Sequence, residues 1–113
     1  MLEINPETVR FIIERAHEFQ MQGQSEGDVP LEERDPAFAE LKTTIDDLEP
    51  DQQVSLVGLM WLGRGDYTLD EWDKALSDAG DSWNERTAEY LIGTPLLADY
   101  LTEGLEQFDI APE

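Results

Sequence analysis

The stretch "QVSLVGLMWLG", residues 53 to 63, decides the fold. It carries no charge in a chain where 30% of residues are charged, and its apolar residues fall on nearly every face of a helix. An ordinary surface helix confines its apolar residues to one stripe, so this run is expected to be buried on all sides as a central helix. Pro50 and Asp51 supply a start signal before it and Gly63 a stop after it, bracketing a helix-length run that suits a core strand less well.

Helical spacing continues outward in both directions. Asn5 and Pro6 form a cap and first-turn pair, and Val9, Ile12, Ile13, Ala16 and Phe19 then share one face, which predicts a helix from Pro6 to about Gln22. "GQSEGDVPLEERD", residues 23 to 35, is rich in Gly, Pro and acid without a period and reads as a mobile surface loop. Asp35 and Pro36 open a second helix with Phe38, Leu41, Ile45 and Leu48 on its stripe, running to Glu49. Beyond the central run, Leu69, Trp72, Leu76 and Ala79 predict a fourth helix ending near Gly80. Trp83, Thr87, Tyr90 and Leu91 predict a fifth ending near Gly93. Thr94 and Pro95 open a sixth through Leu97, Tyr100, Leu101, Leu105 and Phe108. The expectation is a single all-α domain over residues 1 to 113, a compact bundle of five to six helices around the central one.

A chain of 113 residues with 40% hydrophobic content, including three Trp, four Phe and three Tyr, can bury one sizeable core. It has no cysteine, which removes disulfides, thiolate metal sites and a Cys nucleophile. The N-terminus lacks the order of a secretory signal and no stretch approaches the roughly 18 apolar residues of a membrane span, so a soluble cytoplasmic protein is expected. The 27 acidic against 7 basic residues give a formal net charge of −20. Such a surface repels nucleic acid and anionic membranes, and attracts basic partners.

"MWLGRGDYTLDEW", residues 60 to 72, ends like a calcium-binding EF-hand loop: with Glu71 at the twelfth position, Gly65 falls at the sixth, where glycine is required. The first, third and fifth positions, which need oxygen ligands, then fall on Met60, Leu62 and Arg64. A helix stop and start accounts for the stretch instead. Gly63 and Gly65 let the chain leave the central helix, and Thr68 with Glu71 forms a capping box. The sole histidine, His17, stands beside Glu14 and Glu18 but lacks the second His of a zinc-protease helix, and is expected to hydrogen-bond a local carboxylate. Asp70 and Asp73, and the cluster at 46 to 51, sit at helix starts, where acids suit the helix dipole. No nucleophile with a base and no phosphate loop is present, so no catalytic, cofactor-binding or metal-ligating residue is assigned. Trp61, Trp72, Trp83, Tyr90 and Tyr100 recur at stripe positions, which means core packing for most and leaves some available for an exposed patch.

"EPDQQVSLVGLMWLGRGDYTLDEWDKAL" followed by "AEYLIGTPLLADYLTEGL" resembles a bacterial family catalogued as a domain of unknown function, number 3775, over about residues 45 to 106. The specific blocks are "LMWLGRGD", the pair Glu71 and Trp72, and "GTPLLADYL" from Gly93 to Leu101. The resemblance implies a small helical cytoplasmic protein and brings no catalytic residue with it. It singles out Arg64, Asp66, Glu71, Trp72, Gly93, Thr94 and Pro95 as residues for turn-fixing or interaction. Arg64 is expected to bridge to a nearby carboxylate, or to stand exposed beside Gly93 to Pro95 as a recognition surface for an acidic group.

The functional expectation is a non-enzymatic acidic interaction module whose partner is a protein of basic character, or a second copy in a homodimer, without cofactor, direct nucleic-acid contact or membrane. Two other readings stay open. An acidic nucleic-acid mimic requires carboxylates arrayed along one elongated face, and a metal-dependent or acid/base enzyme requires polar groups converging on His17.

Overall fold

The computed structural model describes residues 4–22, 36–94 and 96–108, and these form six α-helices with no strand among them. They are α1 (Pro6–Gln22), α2 (Pro36–Asp46), α3 (Pro50–Arg64), α4 (Trp72–Ser82), α5 (Thr87–Ile92) and α6 (Leu97–Gln107). The fold is all-α. Residues 23 to 35, expected from the sequence to form a surface loop, and Pro95 lie outside the described residues.

The uncharged run behaves as its composition requires. In α3, Gln53, Ser55, Leu56, Val57, Gly58, Leu59, Met60 and Leu62 are buried, which covers every face of the helix. α3 packs against α6 and α4, α6 packs on α1, α1 on α2, and α2 on α5, which returns to α3. The helices thus close around a core filled by Ile12, Leu41, Ile45, Leu56, Leu59, Leu91, Leu101 and Leu105, all fully buried. α4 covers the outer side of α3, where the Trp72 ring lies against Gly58 and meets Phe108 edge-on at 4.9 Å between centroids.

α3 and α6 approach backbone to backbone. A Cβ on Gly63 would overlap the carbonyl oxygen of Tyr100 and stand 3.0 Å from the nitrogen of Gly104, and a Cβ on Gly104 would stand 2.5 Å from the carbonyl oxygen of Leu59. Gly63 therefore does not release the chain from the helix, as its position in the sequence suggests; it lies inside α3 and lets α6 come close. Gly65 performs the exit. It adopts the left-handed conformation, φ 95°, and its N–H donates to Leu62 while that of Asp66 donates to Trp61, a hydrogen-bond pair that closes the helix end.

Helix boundaries differ from expectation where side chains intervene. α2 stops at Asp46, not Glu49, because Pro50 forces Glu49 into extended backbone and the Gln53 amide takes over the carbonyls of Ile45 and Leu48 at 2.8 and 3.2 Å. α4 runs through Gly80 to Ser82, since nothing near Gly80 demands a glycine there. α5 starts at Thr87, not Trp83. The Asn84 side chain accepts from the Arg86 N–H at 2.7 Å, and Thr87 Oγ1 bonds both the N–H and the carbonyl of Asn84, so residues 84 to 87 form a corner. α6 starts at Leu97 behind Leu96, a non-glycine residue with φ 64°.

Ionic contacts follow the sequence and not the packing. Among the described residues five ion pairs form, and four of them join residues two to four apart: Arg15 with Glu18, Lys42 with Asp46, Arg64 with Asp66, and Lys74 with Asp78. The fifth, Arg15 with Glu40, spans α1 and α2 at 3.9 Å.

Candidate functional site

Aromatic residues from two helices and from the turn after α3 meet on one face. Trp61 of α3 donates its indole N–H to the Tyr90 hydroxyl of α5 at 2.9 Å and stacks on Tyr67, with ring centroids 5.7 Å apart and an interplanar angle of 18°. Tyr67 donates in turn to Asp78 of α4 at 2.6 Å, and Lys74 reaches the same carboxylate oxygen at 3.3 Å. This bond holds the Tyr67 hydroxyl protonated, pushing its pKa up to about 12, and lowers that of Asp78, with Lys74 adding to the second effect. On the opposite side, Trp83 donates to Gln53 Oε1 at 2.6 Å. Gln53 is buried at both ends of its amide, so this one side chain joins the end of α2, the start of α3 and the Trp83 indole.

Between these two braced walls lies a half-open cleft of about 300 Å³, lined by Val57, Trp61, Ala79, Ser82, Trp83, Asn84, Arg86, Thr87 and Tyr90. Val57, Ala79 and Thr87 are buried and form its floor. Trp83 and Tyr90, 39% and 45% exposed, form its rim. Trp61 and Tyr90 also border a shallower groove with Arg64, Asp66, Tyr67, Glu71, Lys74 and Asp78. Every carboxylate of that groove is engaged within the fold: Asp66 with Arg64, Asp78 with Tyr67 and Lys74, and Glu71 with the Thr68 N–H at 3.0 Å.

The residues singled out in the sequence separate into three groups. Arg64 bridges to a carboxylate as expected: its Nε and Nη2 both donate to Asp66 Oδ2, at 2.8 and 2.7 Å, which raises the Arg64 pKa further, with smaller help from Tyr90. Glu71 completes the capping box with Thr68, ahead of a 3-10 turn at Leu69–Glu71. Trp72 is a core residue, 5% exposed, and its indole nitrogen finds no hydrogen-bond partner among the described residues. Gly93 ends α5 with its N–H on Glu89, and Thr94 is buried with its hydroxyl on the Tyr90 carbonyl at 2.8 Å. Arg64 shares its groove with Tyr90 and not with Gly93 or Thr94, and Pro95 lies outside the described residues.

Other candidates change character. His17 is exposed on α1 and makes no hydrogen bond with a described residue, contrary to the bond expected with a neighbouring carboxylate. No group of three or more metal-ligating side chains converges among the described residues. The aromatic set divides: Trp72 packs in the core, Trp61 and Tyr100 are half-buried, and Trp83 and Tyr90 stand at the surface. Gln53, Asn84 and Arg86 were not marked by any motif. The available signals were an amide, Gln53, at the head of the uncharged run and the Asn-x-Arg-Thr order of a turn.

No helix among the described residues is long and apolar enough to cross a membrane. No curated protein and no solved structure matches the chain. One family model does, over residues 38–110, more than half of the sequence, and it takes in α3, the Arg64 turn and both walls of the cleft. The chain belongs to the family described as protein of unknown function (DUF3775).

Proposed function

We propose that the chain is a non-enzymatic recognition module, and that the cleft between Trp61, Tyr90 and Trp83 receives an apolar side chain from a partner protein. The observation that carries this reading is the pair of large aromatics left 39% and 45% exposed around a hollow of about 300 Å³, with rings held in place by Gln53 and Trp61. That volume is at the lower end of ligand pockets and suits one ring or branched side chain. Preformed aromatic walls lose little conformational freedom on binding, which is why Trp and Tyr recur at the centres of protein interfaces. The hydroxyls in the lining serve the fold or stand without a base: Thr87 is bonded to Asn84, and His17 lies on α1, away from Ser82. In the Arg64 groove the carboxylates are turned to internal partners, and none lines the cleft, which favours an aromatic docking surface over an array of exposed acids imitating a nucleic acid.

The test is a photo-crosslinking amino acid placed at Ser82, at the cleft rim, in the native host. The expected result is one dominant polypeptide adduct that disappears when Tyr90→Ala is added, and that does not form from the exposed Thr43 of α2. An adduct indifferent to Tyr90→Ala, or none from position 82, would sink the reading.

A further inference from the structure

We infer that the partner segment carries a carboxylate beside its inserted apolar side chain, and that Arg86 receives it; this rests on the cleft being the docking surface. The net charge of −20 suggests a basic partner, but the local charge pattern points the other way. No Asp or Glu lines the cleft in a chain that holds 27 of them, and Arg86 stands at its mouth. Arg15, Lys42, Arg64 and Lys74 each pair with a carboxylate. Arg86 forms no ion pair with a described residue, although Glu85 precedes it and Glu89 follows one turn along α5. Its backbone is fixed by the bond from its N–H to Asn84, while its side chain stays exposed beside Trp83. The cleft lining itself thus holds no acid, and the charge at its mouth is a guanidinium, with Glu85 outside the lining on the far side of the Trp83–Arg86 corner.

A guanidinium presents a planar fork of donors that fits a carboxylate with two parallel hydrogen bonds. The distant acids do not cancel this preference, because at physiological ionic strength charges more than about 8 Å away are largely screened. They slow the approach of an anionic segment instead. A basic segment would behave in the opposite way, drawn in by the net charge and released as salt rises.

Three capped tetrapeptides decide the matter, each with Phe followed by Glu, Gln or Lys, titrated against the intact protein by proton–nitrogen correlation spectra. The indole N–H signals of Trp61 and Trp83 report the cleft, and that of Trp72, buried against Phe108, is the internal reference. The Glu peptide is expected to bind about three- to fivefold more tightly than the Gln peptide, the range for a rim ion pair. Arg86→Gln should erase that margin, bringing the Glu and Gln peptides to equal affinity. Equal affinities, or tightest binding by the Lys peptide, overturn the inference and leave the cleft reading standing. Silence at Trp61 and Trp83 toward all three peptides overturns both. If those signals move with protein concentration alone, the occupant is a second copy of the chain, and the inference fails.

Discussion

Replacing Gly63 by Ala tests the α3–α6 contact directly. The added methyl would overlap the Tyr100 carbonyl oxygen and stand 2.7 Å from its carbon. Since carbon contacts settle near 3.5–4.0 Å, the helices must part by roughly 1.5 Å. Leu59 and Leu62 of α3 and Leu101 and Leu105 of α6 are fully buried, so the parting opens a gap in the core instead of at the surface. If each of these four leucines loses a quarter of the attraction on half of its roughly 50 atomic contacts, the interface weakens by about 4 kcal/mol. The better helix propensity of Ala offsets about 1 kcal/mol. The net expectation is a destabilisation of about 3 kcal/mol, a fall in Tm of roughly 10–20 °C for a domain of this size. Gly80→Ala is the matched control: it also lies in a helix, a Cβ there meets nothing within 4 Å, and it should stabilise by about 0.5–1 kcal/mol. Thermal and urea unfolding followed by circular dichroism give both values. A Gly63→Ala protein that melts with the wild type would refute the backbone-to-backbone packing.

Other perturbations separate the braces of the cleft. Gln53→Leu leaves the Leu48 carbonyl and the Trp83 indole without the Gln53 amide and the Ile45 carbonyl with the Leu48 N–H alone, and should cost about 2–4 kcal/mol while speeding hydrogen exchange at the Trp83 indole N–H. Tyr67 titrates at about 12 in the folded chain against an ordinary value of 10.0, so its contribution is fully present below pH 10 and is lost as pH rises toward 12. The Tm gap between wild type and Tyr67→Phe should therefore close over that window. Asp78, lowered by the same bond, loses its contribution as pH falls through its folded-state pKa, below the ordinary carboxylate value. Arg64→Ala should leave the protein folded and cost about 0.2–1 kcal/mol, because the pair with Asp66 is local and its side chains are 35% and 45% exposed. Global unfolding of that variant would show that the turn depends on Arg64 far more than its exposure implies.

The helices were legible wherever one periodic face met one neighbour. α1 keeps its expected bounds, and the uncharged run is the buried centre of the bundle. Glycine was the weak sign. Gly63 and Gly80 both read as helix stops, yet one serves close packing and the other interrupts nothing, because sequence shows a missing side chain without showing what approaches it. Asn84 makes the fifth helix start late through bonds to Arg86 and Thr87, a local competition with helix that its composition already allowed. The cleft was out of reach. It depends on Gln53 meeting Trp83 and Trp61 meeting Tyr90, contacts 30 and 29 residues apart that no spacing rule selects.

The local character of the ion pairs has a consequence for how this protein can change. Among the described residues four of the five ion pairs close within a single turn or loop, and the helices pack on one another through leucines, aromatics and a buried glutamine. The excess of negative charge therefore works against compactness without contributing to its geometry. Added salt should make the chain more stable, not less. Apart from acids such as Asp66, Glu71 and Asp78 that bond within the fold, its carboxylates can be exchanged, multiplied or removed one at a time with the architecture unaltered, so surface charge and shape can drift as independent traits.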